Sequence, residues 1–400
     1  MLMFDKSCFP TLQNDSSLAY FDSAATSQTH KTVLDAMNEY YNTYRASPGR
    51  SVHRLGEQVD AKVDWAREQV AKLINASSNQ ILFTAGTTQG LNWIADWHKD
   101  APVVVVTEAE HHANIIPWLE QGRTLANGKL KVIPMLDDGT LSLDSATEII
   151  SNCPEGSLVS VIATSNVTGI NQPWEQLAKI THEYNCTIAV DFCQTVAHSK
   201  IDLEKNNIDW AVFSAHKMYG PTGIGALYTS KNVDELHPVM FGGGSVDIVT
   251  FDSVKFTSGP ARHEPGTPNV ASIVGFGEAA KLINEVGYDC LKDLELTIFN
   301  SLINEGLLEV DNLKLVLPDH TVSHTSSILS FVPQGFHSSD IGTLLSHTNV
   351  AVRTGKLCAH PYVDQFGDQG LVRVSIAPYN TLEDCKLLVS SLNKIVPMLA

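Results

Sequence analysis

Positive charge is scarce in this chain. Over 400 residues, 27 Lys and Arg stand against 44 Asp and Glu, a formal net charge of -17, and no run of five basic residues occurs. Nucleic acid and anionic membrane surfaces repel such a chain, so neither is expected as a partner. Cysteines are few and badly spaced for pairing. Cys8, Cys153, Cys186, Cys193, Cys290, Cys358 and Cys385 are odd in number and contain no C-x-x-C. They make a poor disulfide framework and a poor zinc site, and predict a reducing, cytoplasmic setting. Long apolar runs are missing, since stretches such as Val103–Val106 are far too short to span a bilayer. The opening residues Met1 to Lys6 lack the basic-then-apolar order of a secretory signal. No H-E-x-x-H or G-x-x-x-x-G-K-[ST] occurs, and no strand-then-helix G-x-G-x-x-G is found. A metalloprotease, a P-loop or a dinucleotide site is therefore not expected, and no metal is predicted.

What is present is a regular alternation over the first two thirds. Five apolar runs, Ile81–Thr84, Val103–Val106, Leu158–Ala163, Thr187–Val190 and Trp210–Phe213, are each followed by a polar cluster. Helical stretches such as Gln89–His98 separate them. Continuous apolar strands separated by helices predict an α/β fold with a parallel sheet covered on both faces. Ligands bind such sheets beyond the carboxyl ends of the strands, where the polar clusters fall. After about residue 270 the order changes to helices (Ala271–Val286, Cys290–Glu309) followed by strand-like runs (Lys314–Leu317, Ile328–Phe331, Val350–Arg353, Leu371–Ile376) and a closing helix, Leu382–Met398. This predicts a large domain over 19–270 and a small α+β domain with an antiparallel sheet over 271–400, joined to an N-terminal segment 1–18. At roughly 150 residues per domain, the length agrees with more than one.

The polar clusters hold a constellation. Lys217 follows an apolar strand and is a candidate Schiff-base nucleophile. Asp191 follows another, where a carboxylate can keep a pyridine nitrogen protonated, and Gln194 stands one turn on. Thr87 and Thr88 open a helix after Gly86, a place suited to a phosphate, and Ser214 and His216 add donors beside the lysine. His111 and His112 are adjacent, so they do not converge on a metal, and an imidazole stacked on a flat cofactor is the more economical reading. Asn166 and Arg373 are candidate carboxylate binders, the arginine offering a planar two-point fork. Cys358 lies in a loop after Arg353, Gly355 and Lys356 and shortly before His360, an electropositive setting that favours a thiolate. The other six cysteines are expected to be structural.

Together these stretches resemble the pyridoxal-phosphate enzymes of aminotransferase class V, specifically the group II cysteine desulfurases of the SufS/CsdA type. The markers are Tyr20-Phe-Asp-Ser-Ala-Ala-Thr26, Phe83-Thr-Ala-Gly-Thr-Thr88, Glu110-His-His-Ala-Asn114, Ser165-Asn-Val-Thr-Gly169, Ser214-Ala-His-Lys217, Pro265-Gly-Thr-Pro-Asn269 and the stretch Arg353 to Ala359. The resemblance implies the fold type I architecture, with a seven-stranded, mainly parallel sheet in the large domain and a smaller α+β C-terminal domain. It implies pyridoxal 5'-phosphate as cofactor, L-cysteine as substrate, L-alanine as product and a persulfide on Cys358 (an EC 2.8.1.7 type activity). By the same resemblance Lys217 carries the cofactor, Asp191 and Gln194 bind its ring and His111 stacks on it. Thr87, Thr88, Ser214 and His216 hold the phosphate, with Thr267 reaching in from the second subunit of a homodimer. Asn166, Arg353 and Arg373 bind the substrate. A SufE/CsdE-like acceptor protein is the implied partner, with Lys356 the nearest basic residue for docking it. Selenocysteine lysis, another class V reaction or a weakly catalytic sulfur-transfer role remain alternatives. Three positions depart from the usual pattern: Phe192 and Cys193 replace Gly-Ala, Ala215 replaces glycine, and Leu357 replaces the histidine that usually precedes the nucleophile.

Overall fold

The computed structural model describes residues 4–49, 51–122, 130–317 and 327–399. The chain termini named in the sequence reading, 1–3 and 400, lie outside these. The strands are β1 (Ala19–Tyr20), β2 (Ile81–Thr84), β3 (Val104–Thr107), β4 (Leu130–Ile133), β5 (Leu158–Ile162), β6 (Thr187–Asp191), β7 (Trp210–Ser214), β8 (Gly225–Thr229), β9 (Val246–Val249), β10 (Val254–Phe256), β11 (Leu313–Leu315), β12 (Ile328–Pro333), β13 (Val350–Ala351), β14 (Arg353–Gly355) and β15 (Leu371–Ser375).

Among the described residues, seven of these strands form one sheet in the order β2-β8-β7-β6-β5-β3-β4. Only β8 runs against its neighbours, and every other pairing in the sheet is parallel. The strands β5 and β7 are buried along their whole length, which is why they read as largely apolar runs. Two strands of this sheet escaped the sequence reading. Edge strand β4 has only its last residue, Ile133, buried, with Val132 43% exposed, and β8 begins on a glycine. The sheet is an α/β layer with helices such as Thr87–Trp97 and Trp174–Glu183 on its faces.

The C-terminal part has the expected antiparallel sheet, four strands in the order β11-β12-β15-β14. The run Val350–Arg353 splits: β13 leaves this sheet and pairs in parallel with β1, while β14 stays. The stretch from β1 onward therefore threads into the C-terminal core, where Ala19 and Phe21 are fully buried among Leu329, Val350 and Val374. The Ser375 N–H donates to the Phe21 C=O (2.8 Å). Helix Val270–Val286 is capped by Asn269, whose Oδ1 accepts from the Ser272 N–H, and stops at Gly287 with φ +80°. Among the described residues no helix is long and apolar enough to cross a membrane.

Candidate active site

A cavity of about 470 Å³ opens where β3, β5, β6 and β7 end and where β14 and β15 approach them. It is lined by Thr87, Thr88, His111, Asn166, Asp191, Gln194, Ser214, His216, Lys217, Arg353, Cys358 and Arg373. Twelve of the thirteen predicted site residues thus come together from segments spread over nearly 290 positions, as expected of the carboxyl edge of a parallel sheet. Thr267 does not line it. That residue is exposed.

Asp191 closes β6 and is only 6% exposed. Its Oδ1 accepts from the backbone N–H of Cys193 (2.8 Å). Burial pushes its carboxyl up, and the nearby Lys217 ammonium pulls the other way. No ion pair neutralises it among the described residues. Lys217 ends the single 3-10 turn Ala215–Lys217 that follows β7. That turn is tied down through the His216 C=O, which accepts from the Ser27 N–H (2.8 Å) and the Thr26 hydroxyl (3.2 Å). Gln194 donates Nε2 to the Ala24 C=O (2.8 Å), so the same N-terminal segment braces both strand ends.

The amino end of helix Thr87–Trp97 forms a hydroxyl-rich cradle. The Thr87 N–H and Oγ1 both lie 2.9 Å from Ser214 Oγ, and Thr87 Oγ1 lies 2.7 Å from Cys193 Sγ. Gly86 supplies the bend with φ +149°. A Cβ there would be strained and would sit 3.3 Å from Ser214 Oγ. Gly225 on β8 lets the bend approach, because a Cβ on it would fall 2.6 Å from the Phe213 C=O and 2.8 Å from Gly86 Cα. Cys193 is fully packed here, and burial raises its thiol to about 11, which makes it a packing group and a poor nucleophile. Phe192, its neighbour, packs edge-on to Trp174 at 5.0 Å.

The imidazoles are neutral. Burial, helped by the charge of Lys217, lowers His111 to about 3 and His216 to about 4. His111 Nδ1 accepts from the Ala113 N–H (3.0 Å), which fixes its ring. Preceding it in the chain is Glu110, a residue without a role in the sequence reading. It is 0% exposed and accepts from the Thr107 hydroxyl (2.7 Å), Asn114 Nδ2 (2.7 Å) and the Ile162 N–H (3.0 Å). Burial prevails over these donors and raises it to about 8. Only its place inside the Glu110–Asn114 motif could have signalled it.

On the far wall, Arg373 Nη1 donates to the Asn166 C=O (2.9 Å). Its Nε and the Oδ1 of Asn166 are buried without a hydrogen-bond partner. Buried polar atoms rarely stay unpaired, so this wall is built for a polar ligand. Asp22, also missed by the sequence reading, lies between Arg373 (3.4 Å) and Arg353 (2.8 Å). Cys358 is exposed, and it is the only exposed cysteine. Both it and Leu357 have positive φ, +54° and +52°, conformations that cost an L-residue about 1–2 kcal/mol each. The cations that precede it are already paired, Arg353 with Asp22 and Lys356 with Asp364 at 2.6 Å. The electropositive loop expected from the sequence is thus largely neutralised. Among the described residues no group of His, Cys, Asp and Glu could hold a metal ion.

With this geometry in hand, the relatives are informative. Residues 19–388 match the aminotransferase class-V family. The chain is 35% identical over 401 residues to a probable cysteine desulfurase of Vibrio cholerae, covering 98% of this chain and 97% of that one. Among solved structures, the apo cysteine desulfurase of Thermococcus onnurineus NA1 superposes with a TM-score of 0.90 at 32% identity, covering 97% of this chain and 96% of that one. The cysteine desulfurase CsdA of Escherichia coli does so with a TM-score of 0.88 at 30% identity, covering 99% and 98%. With its sheet order, its cavity and these likenesses taken together, the chain belongs to the aminotransferase class V family, among the cysteine desulfurases.

Proposed function

We propose that the cavity holds pyridoxal 5'-phosphate and that the protein takes the sulfur of L-cysteine onto Cys358, releasing L-alanine. The observation that carries this reading is one cavity lined by a lysine, a buried carboxylate without a cation partner and the only exposed thiol, each from a separate segment. The residues fit the cofactor. Asp191, raised by burial, suits a protonated ring nitrogen, and the hydroxyls of Thr87, Thr88 and Ser214 at a helix N-terminus suit a phosphate. His111, neutral because it is held at about 3, offers an uncharged flat face. Gln194 and His216 complete the contacts. When bound, the cofactor supplies an electron sink next to the substrate Cα.

The chain's own groups do the rest. Lys217 Nζ anchors the cofactor and then moves the Cα proton. Arg373 Nε and the second N–H of Asn166 Nδ2 receive the substrate carboxylate, with Arg353 at the rim. The Cys358 thiolate attacks the substrate sulfur: an S–S bond forms as the C–S bond breaks, and its electron pair stays with the carbon skeleton. That skeleton takes up a proton and leaves as alanine, so cysteine plus enzyme thiol gives alanine plus enzyme persulfide. A persulfide is a reversible thiol state that an acceptor thiol, such as that of a SufE/CsdE-like protein, can collect. The exposed Thr267 supports a homodimer in which it faces the partner's site. Seven free thiols are in keeping with a reducing compartment such as the cytoplasm.

The test is the Cys358→Ala variant incubated with cysteine. It should keep the cofactor's visible absorbance and lose persulfide and alanine formation together. Undiminished alanine release, or persulfide on another cysteine, would overturn the assignment.

A further inference from the structure

The backbone around Cys358 has a shape that its residues do not favour. Lys356 to Ala359 close on a hydrogen bond from the Ala359 N–H to the Lys356 C=O (2.9 Å), with φ +52° at Leu357 and +54° at Cys358. Two consecutive left-handed central residues make a type I′ turn, in which glycine, asparagine and aspartate are preferred. This turn has none of them, so the surroundings must hold it. Three anchors do. The Leu357 C=O accepts from Asn166 Nδ2 (2.8 Å). The Cys358 C=O accepts from the His112 N–H (2.7 Å). The Leu357 side chain, 8% exposed, sits in an apolar cluster with Ile162, Val167, Tyr362 and Leu371.

The two polar anchors grip carbonyls and are indifferent to which side chains occupy the turn. The third depends on residue 357 being apolar. A histidine at this place would bring its ring nitrogens into the cluster without partners, at the cost of an unsatisfied buried polar group. We infer that Leu357 is a positioning residue for the sulfur-accepting step: its buried side chain is the peg that locks the strained turn and thereby fixes where Cys358 presents its sulfur at the cavity. Held this way, the nucleophile meets the substrate without first paying to order a loop. The catalytic part of this inference rests on the desulfurase reading above, while the structural part does not.

Three variants separate the peg from the strain. Leu357→Met keeps an apolar peg. Leu357→Gly and Leu357→Asn remove it while suiting the left-handed backbone. The full-length protein carrying each is followed by amide hydrogen exchange of the peptide spanning residues 355–363, and by kcat and KM for alanine formation from cysteine. Leu357→Gly and Leu357→Asn should exchange about tenfold faster in that peptide and lose about tenfold in kcat, with KM and cofactor absorbance unchanged. Leu357→Met should stay near wild type in both. Unchanged exchange in the glycine and asparagine variants overturns the inference, as does exchange that rises equally along the whole chain. If the wild-type protein makes no alanine, the desulfurase reading falls, and the exchange comparison still decides whether the peg exists.

Discussion

Arg353 and Arg373 stand directly opposite each other across the antiparallel β14–β15 ladder and share one carboxylate. Like charges in that register repel. Asp22 relieves this by giving Oδ2 to Arg353 at 2.8 Å and Oδ1 to Arg373 at 3.4 Å. The carboxylate comes from the N-terminal segment, which binds β13 on one side and bridges to Ser375 at the end of β15 on the other. Both arginines are therefore held by a residue more than 330 positions away in sequence.

Asp22→Asn should uncouple this arrangement. It leaves Arg373, 3% exposed, facing a second guanidinium with no anion between them. Losing one partner of such a buried charge group costs on the order of 2 kcal/mol or more. The expected result is a lower melting temperature and a raised KM for cysteine, because Arg373 turns away from the carboxylate it should receive. A melting curve and KM that both match wild type would show that the two arginines do not need the bridge.

Asp191→Asn should test the buried carboxylate. Asparagine preserves size and can still accept from the Cys193 N–H, but cannot hold a positive charge on a ring nitrogen. Removing one preorganised charge from a site of this kind costs roughly 100-fold in rate. Alanine formation should fall by about that factor while the variant still retains cofactor. A loss below about threefold would place the ring elsewhere in the cavity.

How much of this was legible in the sequence depends on whether the signal was local. The strands β5 and β7 are buried on both faces, so their apolar runs announced the sheet, and the residues just beyond each run announced the cavity. Local spacing also singled out Cys358. Asp22, Glu110 and the peg at Leu357 were not visible, because each acts through partners brought in by the fold: two arginines on neighbouring strands, three donors from β3, β5 and the turn between residues 111 and 114, and an apolar cluster assembled from four segments. The sequence also gave Lys356 and Arg353 to the nucleophile as bare cations. The fold hands Lys356 to Asp364 in the same loop region and Arg353 to Asp22 from the other end of the chain.

Gly86→Ala should weaken the cradle at the helix N-terminus. Gly86 has φ +149°, and a methyl group there meets Ser214 Oγ at 3.3 Å. Backbone strain in this region costs about 1–3 kcal/mol. About half of that range corresponds to roughly a tenfold rise in the dissociation constant for pyridoxal 5'-phosphate. Titration of the cofactor-free protein by absorbance measures it. Equal affinity in the variant would mean that the phosphate does not rest on this bend.

The last prediction concerns acid stability and lies away from the cavity. His98 caps the helix Thr87–Trp97 and packs edge-on to Trp210 at 5.6 Å. Its Nε2 is buried without a hydrogen-bond partner. Burial, aided by the nearby Lys231 charge, lowers it to about 4. An unfolded chain protonates the same imidazole near pH 6.5. Between those values the unfolded chain takes up a proton that the folded one refuses, so stability present above pH 6.5 is lost as the pH falls toward 4. His111 and His216, at about 3 and about 4, act in the same direction. A His98→Gln variant removes this titration and leaves the cavity untouched. Its melting temperature should therefore fall less between pH 7 and pH 5 than that of the wild type, and parallel curves for the two proteins would show that the imidazole is protonated within the fold.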